Sequence, residues 1–461
     1  MRRWWWCAAL WPLMSIPVSA QETGVRQGID GLRLALESAG LLLSHGELAG
    51  AKVGVIPEVR VFNAQTDPIH WDIRLPEVAF TPGDAAWSFH LPASFSASVR
   101  WGVGAKPWVF DITTQGAVFG LVKGADGAFD GASLNAQTIA VTSAPVSPGV
   151  FVATMNGLEF RNTEVGEAGF DERWAWDDGA LRASFEVPGE GVLQIDAETV
   201  DVSRTRKGEQ YGWLESLPWM AAIDRGMRVE EAWSAGRAKL EAATTLPSGL
   251  VDSDGLSLVD GSASWTHART GLVGQAQASE AAWNTARAGM GWAVETPAAT
   301  LAWRLPTHPS KTPQDWSVSV DADGTAFYGA VPLPFALDID AQGSALLTRP
   351  LFGRVGDAWG WFPVLAALDG VEANLAPSSL AIEGQELRGQ GRVDVMPSGV
   401  DVGLTLDGSG ASWASSVAVW GGWPLLAEFL ANPSVTEALA GPDARKVGWS
   451  GQGLTVEPVA P

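Results

Sequence analysis

The chain has 461 residues, enough for two to four folding units at about 100–200 residues each. With 46% hydrophobic and 18% charged residues it is neither disordered nor a coiled coil, and 53 Gly with 28 Pro in no triplet period exclude collagen. Against 52 acids stand 30 Lys and Arg, a net charge of −22 spread along the chain. That balance argues against any protein that works by neutralising phosphates, so nucleic acid is not an expected partner.

Residues 1–20 read as an export signal. Met1-Arg2-Arg3 is a basic start, Trp4 to Val18 is an apolar run, and Val18-Ser19-Ala20 ahead of Gln21 has the small-residue spacing of a cleavage site. The run is shorter than the roughly 20 apolar residues of a transmembrane helix and contains Pro12, Ser15 and Pro17. Cleavage after Ala20 would discard Cys7, leaving no thiol for a disulfide, a nucleophile or a zinc site. Removing Arg2 and Arg3 would take the charge from −22 to −24. No later segment reaches spanning length, so the expected product is a soluble periplasmic protein with at most peripheral membrane contact.

Beyond the signal, Ile29, Leu32, Leu36, Ala39 and Leu43 recur at steps of three and four, which predicts one helix over 28–43. From about Lys52 the period becomes two, as in Val53, Val55, Val59 and Val61 or Trp71, Ile73 and Leu75, and this continues to about Ile195. The pattern predicts antiparallel strands with one wet face. Asn156-Gly157, Asp126-Gly127, Asp178-Gly179, Asp254-Gly255, Asp260-Gly261, Asp323-Gly324 and Asp407-Gly408 are expected to be hairpin turns, because these pairs tolerate positive φ. Strands resume from Leu240 and run to Leu406. Three segments, each opened by a proline, predict short helices: Pro218 to Gly226, Pro363 to Gly370, and Pro424 to Asn432. The expected organisation is a signal over 1–20, a β-rich half over 21–205, a helical connector over 206–237, a second β-rich half over 238–410, and a closing helix and strand over 411–461. The fold class is mainly β: elongated antiparallel sheet of two similar halves with a few short covering helices.

That order of elements, ending in Leu404-Thr405-Leu406, an apolar helix around Leu425 to Leu430 and a last strand Gly453 to Val456, resembles an uncharacterised family of exported alphaproteobacterial proteins. The family is catalogued as domain of unknown function twenty-one twenty-five. The resemblance covers most of the chain after the signal, in layout and not in diagnostic residues, and the many tryptophans depart from it. It implies a cell-envelope location and a β-rich body, with a looser likeness to long-sheet envelope proteins that handle lipid. It implies no catalytic residues.

His45, His70, His90, His267 and His308 fall at no metal-binding spacing and are expected at the surface or in turns. Nucleophile-elbow and phosphate-loop motifs are absent. Asp252-Ser253-Asp254-Gly255 and Asp321-Ala322-Asp323-Gly324 begin like calcium loops but lack the later acidic ligand, so hairpin turns are the expectation. Asp171-Glu172, Asp177-Asp178 and Glu230-Glu231 are expected to be solvated, although paired carboxylates would suit glycoside hydrolysis. No cofactor, metal or catalytic residue is implied. Tryptophan is the unusual feature: 24 in all, with Trp4, Trp5, Trp6 and Trp11 inside the signal. Trp219, Trp361 and Trp423, beside the three helix-starting prolines, are the residues expected to line an apolar groove. The functional expectation is a non-enzymatic envelope protein that binds a lipid or other apolar ligand in that groove. A structural or protein-interaction scaffold is the alternative, and a polysaccharide hydrolase the third. Ligand identity and oligomeric state stay open.

Overall fold

The computed structural model describes residues 26, 28–33, 36, 41–47, 54–63, 69–101, 106–123, 129–164, 169–187, 189–209, 223, 225–287, 290–328, 331–348, 352–355, 358–361, 368–382, 385–396, 399–408, 445–450 and 453–458. The structure is almost all antiparallel β-sheet, with 81% strand and 3% helix. Contacts divide the chain into two units, one of residues 1–213 and 231–253, the other of 214–230 and 254–461.

In the first unit the strands are β1 (Leu42–Ser44), β2 (Val55–Phe62), β3 (Ile69–Thr81), β4 (Ala86–His90), β5 (Ser94–Trp101), β6 (Trp108–Gln115), β7 (Val118–Lys123), β8 (Phe129–Ser143), β9 (Gly149–Glu164), β10 (Phe170–Val187) and β11 (Gly191–Glu209). Next come β12 (Arg228–Thr245) and β13 (Val251–Ala268), which cross the unit boundaries. The second unit continues with β14 (Gly271–Ala278), β15 (Glu280–Arg287), β16 (Met290–Leu305), β17 (Gln314–Tyr328), β18 (Val331–Leu347), β19 (Phe352–Val355) and β20 (Ala358–Trp361). It ends with β21 (Leu368–Ile382), β22 (Gln385–Met396), β23 (Gly399–Gly408), β24 (Arg445–Ser450) and β25 (Gly453–Pro458). The helical connector expected over 206–237 is therefore strand at both ends.

Each unit contains a broken strand laid along one long partner. The short strands β6 and β7 pair end to end along β8, and β14 and β15 do the same along β16. From β16 onward the second unit is a plain meander through β17, β18, β21, β22, β23, β24 and β25, with β19 and β20 forming a separate hairpin.

The first unit's core lies under the N-terminal helix. Ile29 and Leu36 pack with Ile56, Val59, Phe80, Phe89, Leu121 and Phe160, as the helical stripe predicts. Helix is observed over 28–33 and at Leu36, whereas Leu43 belongs to β1. The Leu41 N–H donates to the Leu36 carbonyl at 2.8 Å, a closing bond of the kind that ends helices, and the chain then turns into strand. The helix end expected at Gly226 is present: its φ is +103° and its N–H donates to the Ile223 carbonyl at 3.0 Å. The one expected at Gly370 is not, because Leu368, Asp369 and Gly370 open β21. The Pro424 segment lies outside the described residues.

The Asp-Gly and Asn-Gly pairs are a further correction. Asn156-Gly157, Asp178-Gly179, Asp254-Gly255, Asp260-Gly261 and Asp323-Gly324 sit inside strands, Asp407-Gly408 ends β23, and Asp126-Gly127 lies outside the described residues. The aspartates tolerate strand because one face of the sheet is wet, and the glycines answer local crowding or backbone needs. Gly157, with φ +63°, lies level with Gln137, Asp177 and Asp201 (φ +50°), where pairing across β8 to β11 is interrupted without change of register. The alternation changes phase at that level. On β10, Phe170, Glu172 and Trp174 are turned inward before it and Leu181, Ala183 and Phe185 after it, while Ala180 and Arg182 are exposed. Register shifts mark similar irregularities at Glu295/Ala298, Asp338/Ala341 and Leu375/Ser378 in the second unit.

Candidate functional site

Strand β18 sets the character of the second unit. Its odd residues, Leu333, Phe335, Leu337, Ile339, Ala341, Ala345 and Leu347, are apolar and buried or half-buried, and its even residues Asp338, Asp340 and Gln342 are exposed. Seventeen residues at about 3.3 Å each give a strand about 56 Å long, well beyond ordinary strand length.

The register carries this two-sidedness across the neighbours. Trp265, Gly274, Trp303, Val318, Ala341 and Leu375 stand opposite one another in successive strands β13, β14, β16, β17, β18 and β21. The next level, on the other face, reads Thr266, Val273, Arg304, Ser317, Gln342 and Asn374. One face is apolar and its reverse is mainly polar.

Side chains along the apolar level are only half-buried. A second layer of structure normally covers such a face completely. Among the described residues of this unit, the buried apolar side chains are Ile223, Met227, Val229, Ala326, Leu333, Ala345 and Leu347, none of them in that level, with Leu333 and Leu347 towards the two ends of β18. Trp283, opposite Val294 on the same face, is 45% exposed.

Tryptophan and glycine act together here. A Cβ at Gly274 would stand 2.5 Å from the Trp303 ring and 2.7 Å from the Trp265 Cβ, so the glycine makes room for the ring above its strand. Trp316 faces Gly343, and its indole N–H donates to the Glu372 carbonyl at 3.3 Å, one strand further on. In the first unit the Trp176 indole beside Gly179 donates to Thr199 Oγ1 at 2.9 Å, and the Trp108 ring lies against Gly149. Aromatic rings set over strand glycines in this way pave a sheet with apolar surface and rigidify it. Where their N–H groups are bonded within the sheet, the paving asks nothing of a ligand.

Two buried polar groupings depart from expectation. Glu172 is 6% exposed and Glu231 is nearly as buried, so neither is a solvated surface acid. Arg204 Nη1 stands 3.2 Å from Glu172 Oε1, and its Nε donates to Glu231 Oε1 at 2.8 Å. The Trp174 and Trp233 indoles donate to the same two oxygens at 2.9 and 2.7 Å, and the guanidinium lies over the Trp233 ring. Every one of these contacts uses the carboxylates as acceptors, as a structural ion network does. Among the remaining acids, Asp178 accepts from Asn156 Nδ2 at an exposed position.

His267 and His308 were expected at the surface and are instead 9% and 5% exposed. Their rings are 6.0 Å apart, joined through Thr307 Oγ1 at 3.2 Å from His267 Nε2 and 2.9 Å from His308 Nδ1. Burial, and secondarily the charge of His308, lowers His267 to about 4. Among the described residues no three His, Cys, Asp or Glu side chains converge as metal ligands do, and no helix is long and apolar enough to cross a membrane.

No family model, no curated protein and no solved structure matches the chain. Of the tryptophans expected to line a groove, Trp219 and Trp423 lie outside the described residues. Trp361 ends β20 opposite Phe352, described by its backbone alone. The tryptophans that do gather on one apolar face are Trp265, Trp283, Trp303 and Trp316. Their signal in the sequence was the period-two alternation with glycine in the neighbouring strands.

Proposed function

We propose that the chain is an exported cell-envelope protein, without catalytic activity, that holds an acyl chain or similar hydrocarbon against the apolar face of its second unit. The observation that carries this reading is the half-buried apolar level from Trp265 to Leu375, continuous over six strands and backed by a mainly polar reverse face. The chemistry of the face selects the ligand. An extended peptide laid on it would bring backbone N–H and C=O groups that find no partner there. A hydrocarbon chain brings none, and gains about 0.8 kcal/mol for each methylene it buries. The export signal read in residues 1–20 and the resemblance in layout to exported alphaproteobacterial proteins are what support a periplasmic site of action.

Extraction of the purified full-length protein with organic solvent, followed by mass spectrometry, tests the reading. The expected result is acyl lipid in near-stoichiometric amount. Replacing Ile339, which faces Val320 in the middle of the face, by Asp places a charge there and should reduce the recovered lipid by about tenfold or more while circular dichroism keeps its strand spectrum. Lipid-free protein whose melting point does not respond to added fatty acid or phospholipid would remove the reading and favour a scaffold.

A further inference from the structure

The segment between β16 and β17, residues 306–313, is buried at its start and exposed over most of the remainder. Pro306, Thr307 and His308 are buried, whereas loops ordinarily run over the surface. His267 lies on the apolar face two residues beyond Trp265, at the end of the level formed with Leu272 and Leu305. The segment crosses that end of the face. It is tied to β13 through His267 and Thr307, to β17 by Gln314 Nε2 donating to the His308 carbonyl at 2.8 Å, and to β18 by the Ser310 N–H donating to the Leu347 carbonyl at 3.2 Å. Near that last tie Ala345 and Leu347 are 5% and 1% exposed, in contrast to the half-buried middle of β18.

We propose that residues 306–313 form a strap that closes one end of the apolar face and is released when the buried His267 and His308 pair takes up protons. The hydrogen-bond chain supplies the mechanism. Thr307 Oγ1 can accept from both rings but has one proton to donate, so that proton finds an imidazole acceptor only when one imidazole nitrogen donates to Oγ1 and the other accepts from it. Protonating the accepting ring turns both nitrogens into donors, leaves the Thr307 hydroxyl proton without its acceptor, and buries a charge. A second proton would place two imidazolium rings 6.0 Å apart.

Among the described residues, the titratable groups nearest to the pair along its strands and the strap are Arg269 in the turn after β13, Arg304 on the opposite face of β16, Lys311 in the strap and Asp315 at the start of β17, all of them exposed. The charge that bears on His267 is that of His308. The sign follows. The closed form keeps His267 neutral down to about pH 4, while the open form protonates near 6.5, so closure is complete above 6.5 and weakens as the pH falls from 6.5 to about 4. The consequence for a bound chain, release from the opened end in acid, rests on the acyl-chain reading, but the motion itself does not.

Hydrogen exchange of the full-length protein, read by mass spectrometry as protection factors corrected for intrinsic rate, tests the strap. Protection over 306–313 should fall by about tenfold per pH unit between pH 6.5 and 4.5 while β9 to β11 keep theirs. His267→Gln keeps a polar side chain but cannot titrate and should flatten the profile, whereas His308→Gln leaves His267 to titrate and should only reduce the response. Unchanged wild-type protection over 306–313 down to pH 4.5 would overturn the proposal, as would a full pH response surviving in both variants. Neither result depends on lipid, so failure of the strap and failure of the acyl-chain reading are separable.

Discussion

Replacing Arg204 by Met would leave Glu172 and Glu231 buried on the inner face of the first unit without the cation they share. Removing one partner of a buried ion pair costs about 3–5 kcal/mol, and here Glu172 would lose Arg204 while Glu231 would keep Arg206 Nε at 4.0 Å. The urea midpoint of Arg204→Met should fall accordingly, and a change under 1 kcal/mol would mean the site relaxes into solvent. The inward placement of both glutamates was legible. Glu172 alternates with Phe170 and Trp174, and Glu231 with Val229 and Trp233, so each sits in the inward phase of its strand. Sequence adjacency to Asp171 and Glu230 drew attention to charge pairs instead of to phase. The histidine pair had no such signal, since 41 residues separate two rings that only the fold brings together. Asp72 offers a second test at this scale. Burial alone would raise its carboxyl, but hydrogen bonds from Arg60 and Arg74 outweigh that and hold it below the ordinary carboxylate range. Its contribution is therefore intact above the unfolded value near 4 and lost as the pH falls through the folded value. Asp72→Asn should lose less stability than the wild type between pH 6 and pH 3, measured by denaturant midpoints.

At the scale of elements, period-two alternation made the strands readable over most of the described chain, and the stripe of Ile29, Leu32 and Leu36 placed a helix that packs on the first unit's core. Turn chemistry misled. An Asp-Gly pair marks a hairpin when strands are short, but in strands of 15 to 19 residues it marks the level where a strand kinks or a neighbouring ring crosses. Nothing in the pair itself distinguishes the two. Thr296 shows how such an irregularity is held: at the Glu295/Ala298 shift its hydroxyl lies 2.5 Å from the Ala298 carbonyl and 2.6 Å from the Asp323 carbonyl. Thr296→Val keeps the shape and removes the donor, and should cost about 1–3 kcal/mol in thermal or chemical unfolding. The tryptophan and glycine pairs make a parallel case. Gly274→Val puts a side chain into the Trp303 ring, and overpacking of this kind costs about 1–3 kcal/mol. Tryptophan emission should change with it, because the ring has to leave the strand surface.

At the scale of the molecule, a strand alternation in the second unit whose apolar side stays half-buried among the described residues is the feature that carries the proposed function. A chain that buries both faces of a sheet reads as continuous hydrophobic runs, whereas this one keeps Asp338, Asp340 and Gln342 between apolar neighbours over the length of β18. The groove expected beside the helix-starting prolines was inferred from where tryptophans cluster in sequence. The apolar face assembles them from strands β13, β15, β16 and β17, which sequence proximity does not reveal. Quenching of tryptophan emission by a brominated fatty acid tests the face most directly. Titration of the full-length protein should give saturable quenching that Ile339→Asp weakens by about tenfold or more, and that loses amplitude when Trp303 is replaced by Phe. Quenching that does not saturate, or that is the same in all three proteins, would contradict an acyl chain seated on the apolar face.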